Sequence, residues 1–310
     1  MIKKNRVYGL LGIGVYMANF NADLSGYPKT TASNQIFGSD KALKYPMKRM
    51  WEMQGEKVLY IKSMQIIKDK NEGEKLQPRD LNERYTFLFG PLDEKTSSKE
   101  VLGNLFSAID VMNFGATFAE KKQNISITGA VQINQGLNLY KPATPFAQEI
   151  LSPFRNSNEK SKEKLASTMG TKIVTDEAHY VYSFSVNPAN YDEFIGLADG
   201  FEGYTKEAYE KFKQAAKVAT TAFNTNSKSG CENELALFIE LKEKSQLFLA
   251  NLDRYVTVEK QNDRIVYDLS KLAELLEPHM NEIEYVELYC NPFTVEVKYG
   301  FLPCTVKSIF

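Results

Sequence analysis

Four cations fall within nine positions of a chain whose formal net charge is only −1. They are Lys41, Lys44, Lys48 and Arg49, in the stretch SDKALKYPMKRMW. If this stretch is a helix with Ser39 as its N-cap, the three lysines lie at i, i+3 and i+7, within about 60° of one stripe. Neighbouring cations on a helix stand about 5–6 Å apart, which nearly matches successive phosphates of an extended strand. The stripe is therefore either a phosphate track or, as charge runs often are, a solvated amphipathic face.

Pro46 lies inside the same stretch. An interior proline removes a backbone N–H and costs about 3 kcal/mol, so we expect the helix to kink after Tyr45. The residues that fall on the adjoining face, where they can be buried, are Leu43, Met47, Met50 and Trp51. The proline thus divides the basic stretch into two halves.

Few other residues have types and spacing suited to chemistry. Asp23, in the loop ANFNADLSGYPKT, could bind a divalent ion or activate a hydroxyl, although Asp and Gly in a loop are more often turn formers. His179 and His279 have no partners at metal-ligand spacing. The absence of a P-loop, a G-x-S-x-G and an H-E-x-x-H motif argues against the common nucleotide-dependent and hydrolytic classes. We therefore predict no catalytic residue, no metal site and no cofactor.

Charge is unevenly distributed along the chain. Residues 1–50 hold eight Lys or Arg and two Asp, a net charge of +6 that the remaining residues offset. Such polarity can seat an anionic ligand on one face. The three cysteines, Cys231, Cys290 and Cys304, are widely spaced and fit a reducing compartment, so we expect a cytoplasmic protein.

The first residues imitate a secretory signal, because Lys3, Lys4 and Arg6 precede an apolar run. Residues such as Val15 and Tyr16 in that run favour a buried strand instead. No other stretch of about 20 apolar residues occurs, so no membrane span is expected. A secreted or membrane-associated binding module is an alternative that rests on this segment alone.

The elements that must position these side chains follow from hydrophobic periodicity. The predicted strands are 6–17, 57–67, 125–133, 172–186, 234–242, 284–289 and 293–299. The predicted helices are 39–51, 98–109, 205–223 and 270–281. Residues 152–166 are polar and are predicted as a surface excursion. Helices interleaved with strands of both kinds suggest an α+β fold around a central sheet.

Two further stretches carry a resemblance to a known family. In DVMNFGATFAEKKQNISITGAVQINQGLNLY, residues 110–140, an Asp precedes F-G-A-x-F and a G-x-V-Q strand. In STMGTKIVTDEAHYVYSFSVNP, residues 167–188, an M-G-x-K segment precedes an aromatic-rich strand. With the order strand, N/D/G loop and basic helix before them, these motifs resemble the Cas7 family, the repeated backbone subunit of type I CRISPR surveillance complexes, and subtype I-B most of all. The matching residues in the first motif are Asp110, Phe114, Gly115, Ala116, Phe118, Gly129, Val131 and Gln132.

The resemblance implies a ferredoxin-like, RRM-type central sheet, called the palm, in a single domain spanning 1–310. Inserted finger elements are expected at about 70–100 and 135–165, and a thumb β-hairpin at about 166–180. The implied function is non-enzymatic: the subunit binds the phosphates of CRISPR RNA and stacks head to tail with copies of itself. It also contacts other subunits of the complex and displays guide segments for pairing with target DNA.

The resemblance and the basic stretch together identify candidate site residues. The expected RNA-binding residues are Asn19, Asn21, Ser39, Lys41, Lys44, Lys48, Arg49, Gln132, Thr168, Met169 and Lys172. Met169 is the apolar wedge expected to insert between bases, because a flexible thioether suits contact with any base face. Backbone subunits of the related type III complexes cut RNA with an Asp in the loop after the first strand. A metal-dependent RNase acting through Asp23 is therefore the alternative function.

Overall fold

The computed structural model describes residues 1–69, 73–151 and 169–310. Within these ranges the chain forms sixteen strands and six helices. In chain order they are β1 (Val7–Ala18), β2 (Phe37–Gly38), α1 (Asp40–Met53), β3 (Met64–Asp69), β4 (Gly73–Pro78), α2 (Leu81–Phe89), α3 (Ser98–Ser107), α4 (Ile109–Phe114), β5 (Gly115–Phe118), β6 (Ile125–Thr128), β7 (Val131–Ile133), β8 (Gly136–Asn138), β9 (Pro145–Leu151), β10 (Met169–Val186), α5 (Lys206–Ala222), β11 (Cys231–Leu241), β12 (Thr257–Gln261), β13 (Arg264–Asp268), α6 (Ser270–Leu276), β14 (Ile283–Cys290), β15 (Val295–Lys298) and β16 (Val306–Ser308). Among the helices in this described part, none is long and apolar enough to cross a membrane.

Nine of the strands form one large sheet with β1 near its centre. The order is β16-β14-β11-β1-β10-β8-β2, and β7 and β9 also pair with β10. All pairings are antiparallel except that of β14 with β16. Most of β1 is buried on both faces, which explains why its apolar residues run together instead of alternating with polar ones.

The two faces of the large sheet are covered differently. Helices α1 and α5 pack on one face, where the core includes Trp51, Phe184 and Phe212. On the opposite face α6 and a sheet of β12, β13 and β15 pack over residues such as Leu10 and Leu237. This arrangement confirms a mixed fold of helices and strands built on one large sheet.

Two predicted strands differ from the structure. Only Met64–Asp69 of the stretch 57–67 is a strand, and residues 57–63 are irregular although Val58 and Leu59 are buried. The stretch 125–133 forms two strands, β6 and β7, which belong to different sheets. The pattern of apolar residues therefore predicted correctly that parts of these stretches are buried, but it did not predict where their strands begin and end.

Two glycines explain the break between β6 and β7. Gly115 has φ 75°, and a Cβ there would lie 2.1 Å from the carbonyl oxygen of Ile127. A Cβ on Gly129 would lie 2.2 Å from the carbonyl carbon of Phe114. The backbone after α4 therefore packs directly on the turn between β6 and β7, and only glycine fits at either position.

The regions expected as fingers and thumb contain regular elements. The range of about 70–100 holds β4, α2 and the start of α3. The range of about 135–165 is not a simple excursion, because β8 lies in the large sheet and β9 pairs with the first part of β10. Residues 169–180 of the thumb hairpin expected at about 166–180 lie in the single unbroken strand β10, and residues 166–168 lie outside the described residues, so the hairpin stays a prediction. Residues 145–151 and 169–175 form a two-stranded unit that we call the arm; the predicted excursion at 152–166 lies outside the described residues.

Candidate nucleic-acid interface

The basic stretch forms the helix α1, as predicted. Ser39 is its N-cap, and the Ser39 hydroxyl accepts a hydrogen bond from the Ala42 N–H at 3.2 Å. The helix continues through Pro46 to Met53, and Pro46 is buried. Packing of the proline ring helps to offset the backbone hydrogen bond that its missing N–H cannot make.

A cleft of about 500 Å³, which we call the lysine cleft, lies beside α1. Lys41, Lys44 and Lys48 line it from the helix. Residues 115–117 and Tyr60 line it from other elements. The fold therefore brings the basic helix and the F-G-A motif, which are far apart in the sequence, to one site.

Two lysines of the cleft have carboxylate partners. Lys44 Nζ lies 2.9 Å from Asp40 Oδ2, and Lys48 Nζ lies 3.3 Å from Asp110 Oδ2. Burial acts to raise the pKa of Asp40, but the Lys44 ammonium outweighs it and lowers that pKa. Lys41 is exposed and forms no ion pair with a residue that the structure describes. Three cations thus face two carboxylates, so the cleft keeps a single net positive charge.

Aromatic rings line the same cleft and lie close to the lysines. Lys44 Nζ is 5.1 Å from the centre of the Phe114 ring, and Lys48 Nζ is 5.6 Å from that of Tyr60. The Tyr60 hydroxyl donates to the Thr117 carbonyl at 2.6 Å. Burial, aided by nearby carboxylates, raises the pKa of Tyr60 to about 12. The ring is therefore neutral at physiological pH, and its face favours the cation beside it.

Arg49 does not line the lysine cleft. Its guanidinium pairs with the Glu52 carboxylate, which also accepts a hydrogen bond from Arg84 at 3.0 Å. The cation is thus engaged in a network within the protein, on a different side of α1 from the three lysines.

Asn19 and Asn21 organise the loop that follows β1. The Asn19 amide donates to the carbonyls of Gly26 at 2.8 Å and Ile173 at 3.2 Å. The Asn21 amide oxygen accepts a hydrogen bond from the Ser39 hydroxyl at 3.1 Å. Both side chains therefore hold the loop against β10 and the start of α1, and their expected contacts with RNA stay predictions.

Gln132 lies away from the lysine cleft. Its amide donates to the Gly129 carbonyl at 2.8 Å, and the side chain is exposed. It lines a separate groove together with Tyr8, on the face of the large sheet opposite α1. Gln132 and the three lysines therefore do not form one site within a single copy of the chain.

The remaining candidates belong to the arm. Lys172 is half-buried, stands opposite Gln148 in the ladder and has no ion-pair partner among the described residues. Met169 begins β10 opposite Leu151, and Thr168 lies outside the described residues. The wedge role of Met169 stays a prediction.

Comparison with known proteins identifies the family. Residues 5–274 match the family model described as CRISPR-associated protein Cas7. The chain belongs to the Cas7 family. No curated protein matches it significantly.

The fold of this Cas7-family chain is similar to that of two chains in solved structures. One comes from a "CRISPR RNA-guided surveillance complex, pre-nicking", with a TM-score of 0.58 and 13% identity over 98% of this chain and 97% of that one. The other comes from a "CRISPR RNA-guided surveillance complex", with a TM-score of 0.54 and 14% identity over 94% of this chain and 91% of that one. At such low identity the likeness is one of fold.

Asp23 of the Cas7-family chain has the contacts of a turn former. Its Oδ1 accepts hydrogen bonds from the Ser25 N–H at 2.8 Å, the Ser25 hydroxyl at 2.6 Å and the Tyr27 N–H at 3.1 Å. The Ser25 hydrogen bond is the main reason that the pKa of this exposed carboxyl is lowered. Across the described ranges there is no group of three His, Cys, Asp or Glu that could hold a metal ion.

A cluster of buried polar side chains in the Cas7-family chain is not indicated by any local pattern in the sequence. His179 Nδ1 lies 2.7 Å from Glu234 Oε2, and Glu234 also accepts hydrogen bonds from the hydroxyls of Tyr16 at 2.8 Å and Tyr267 at 2.6 Å. Burial opposes protonation of His179, but the charges of Glu234 and Glu177 outweigh it and raise the pKa of the imidazole. We call these five residues the His179 cluster. Its members come from four strands far apart in sequence, so no local pattern could reveal it.

Proposed function

We propose that this chain is a non-catalytic, guide-RNA-binding structural subunit of a CRISPR surveillance complex. The observation that carries the proposal is the lysine cleft, where Lys41, Lys44 and Lys48 stand together against the F-G-A motif. Membership of the Cas7 family and the fold shared with chains of RNA-guided surveillance complexes support it. Subtype I-B stays a prediction.

The strand order supports a ferredoxin-like palm. Helix α1 follows β1, α5 connects β10 to β11, and the order β11-β1-β10-β7 is antiparallel throughout. This is the β-α-β-β-α-β pattern with insertions. We assign β3, β4 and α2 to the fingers and the arm to the thumb.

The chemistry of the cleft suits binding that is independent of base sequence. Contacts between lysines and phosphates carry no information about base sequence, while the guide supplies specificity by pairing with target DNA. One net charge per cleft is modest, but head-to-tail copies along one RNA would repeat it and add their contributions. We further propose that the subunit contacts other components of the complex and acts in the cytoplasm.

We propose no catalytic role for Asp23. A metal-dependent RNase would need its carboxylate for an ion or a water, but Oδ1 already accepts three hydrogen bonds from Ser25 and Tyr27. The contacts of Asp23 support a role in shaping the loop beside α1.

Replacement of the two lysines that do not contact a buried carboxylate tests the proposal. Lys41→Ala with Lys44→Ala should weaken binding of a single-stranded RNA oligonucleotide of any sequence. The slope of log K against log salt should fall by about 1.4, since each phosphate contact on a single strand contributes about 0.7. Fluorescence anisotropy at several salt concentrations measures both quantities. Lys48 is left intact because its removal would leave the buried Asp110 carboxylate without its cation.

A matched control is Lys271→Ala, an exposed lysine on α6 at the opposite face of the sheet. It should change neither affinity nor slope. An unchanged salt slope in the double variant would refute the phosphate role of the cleft.

A further inference from the structure

Asp110 is buried beside the lysine cleft and holds three groups at once. Its Oδ1 accepts the Leu59 N–H at 2.8 Å, and its Oδ2 accepts the Tyr60 N–H at 2.9 Å. The same Oδ2 lies 3.3 Å from Lys48 Nζ. A single carboxylate therefore connects α4, α1 and the irregular segment between α1 and β3.

Lys48 uses part of its hydrogen-bonding capacity inside the protein. An ammonium has three N–H donors. Lys48 Nζ donates one hydrogen bond, to the Tyr60 carbonyl at 3.2 Å, and forms an ion pair with Asp110 Oδ2 at 3.3 Å. The Lys48 side chain is 16% exposed and lines the cleft. The remaining N–H donors are thus left for a ligand, on an ammonium whose position is set by these two contacts.

A second charged side chain fixes the same segment from the other side. Arg84 donates to the Val58 carbonyl at 2.6 Å and to Glu52 at 3.0 Å. Four backbone groups of residues 58–60 therefore pair with Arg84, Asp110 or Lys48, and the Leu59 carbonyl accepts a hydrogen bond from the Ile61 N–H at 3.0 Å, without a neighbouring strand. Neither Arg84 nor Asp110 lines the cleft, yet both determine where Tyr60 and Lys48 lie.

We propose that Asp110 is a positioning residue for RNA binding, acting by holding Lys48 Nζ at the wall of the cleft. The inference rests on the proposed function. A lysine free to rotate loses side-chain entropy when it binds a phosphate, whereas a lysine held in place loses less. The Asp110 carboxylate thus neutralises part of the positive charge of the cleft, but it also fixes the position of a hydrogen-bond donor, Lys48 Nζ.

The direction in which Asp110→Asn changes the affinity for RNA distinguishes a positioning role from an effect of charge alone. By charge alone, Asp110→Asn removes a negative group beside the cleft and should tighten RNA binding. Positioning predicts the opposite, a loss of about tenfold in affinity for a single-stranded RNA oligonucleotide, typical of losing one charge-assisted hydrogen bond. Glu120→Gln is the matched control, because the charge of Glu120 acts on Tyr60 of the cleft but forms no ion pair with a described lysine, so this variant should follow the charge rule. Equal or tighter binding by Asp110→Asn would overturn the proposal.

A double-mutant cycle shows whether Asp110 acts through Lys48. Once Lys48→Met is present, adding Asp110→Asn should cause little further loss of affinity; additive losses would overturn the proposal. Lys48→Arg keeps the charge but changes the reach of the cation. It should still weaken binding, which keeps the proposal testable if Asp110→Asn fails to fold.

Hydrogen exchange tests the positioning without RNA. The amides of Leu59 and Tyr60 should exchange faster in Asp110→Asn and no faster in Glu120→Gln. Unchanged exchange would show that Asp110 does not hold the segment. Failure of the wild-type chain to bind RNA would instead refute the proposed function, so the two failures are distinguishable.

Discussion

At the scale of single residues, buried carboxylates in this molecule pair with groups that come from distant parts of the chain. Asp110 serves two backbone amides and Lys48, and Glu234 serves His179 and two tyrosine hydroxyls. Burying such carboxylates is costly unless every oxygen has a partner. Each is therefore a position where a change of protonation or of side chain should have a measurable effect.

The His179 cluster should make stability depend on pH. The folded-state pKa of His179 is raised above its unfolded value of about 6.5. The protonated imidazole therefore contributes stability that is fully present below pH of about 6.5 and is lost as the pH rises through the folded-state pKa. His179→Gln should lower the midpoint of thermal unfolding most at pH 6 and least at pH 9.

The control for that experiment is His279→Gln, which removes a histidine from a short 3-10 segment far from the cluster in sequence. The same measurement on this variant gives the effect of removing a histidine outside the cluster, against which the effect of His179→Gln is compared. A deficit of His179→Gln that stays constant from pH 6 to pH 9 would show that folding does not raise the pKa of the imidazole.

At the scale of elements, local signals predicted some parts of the fold well. Ser39 was correctly predicted as the cap of α1, and the apolar spacing of Val101, Leu102 and Leu105 placed α3 within two residues of its end at Ser107. Both signals lie within one turn or two of the helix they define.

Other parts of the fold and site could not be predicted because their causes are not local. Residues 57–63 have the apolar pattern of a strand, but Asp110 and Arg84 take up their backbone hydrogen bonds. The lysines of the cleft were predicted individually, whereas the pairing of Lys48 with Asp110 depends on how α4 packs on α1. A resemblance at the level of motifs does not supply such a contact.

The glycine contact after α4 gives a sharp test at the element scale. Gly115→Ala should lower the free energy of unfolding by more than about 3 kcal/mol, because the new Cβ meets backbone at 2.1 Å and φ is 75°. Gly55→Ala is the control, since φ is 85° there but no atom lies within 4 Å. It should cost only about 1–2 kcal/mol from backbone strain. Urea unfolding measures both values, and equal costs would contradict the packing role of Gly115.

At the scale of the whole molecule, the proposed function predicts that RNA and assembly state are linked. The chain is close to neutral overall, although its first 50 residues carry a net charge of +6. Copies that bind side by side along one RNA would be held together by the shared strand.

Protein purified from a CRISPR-bearing host without nuclease should therefore be an oligomer that contains repeat-derived RNA. Treatment with RNase should convert it to smaller species, measured by light scattering after size exclusion. Lys41→Ala with Lys44→Ala should carry less RNA and form shorter assemblies, whereas Lys271→Ala should behave as wild type. An RNA-free monomer would contradict the proposed assembly.

The central position of β1 has a consequence for how the chain is made. Val7 pairs with Val186 on one side and with Glu240 on the other, so β1 leaves the ribosome before partners that are synthesised 179 and 233 residues later. At about 5–20 residues per second, that delay is roughly 10–50 s. During this time a strand that is almost entirely apolar has no sheet to enter. We therefore expect the nascent chain to be most prone to aggregation before residue 240 emerges.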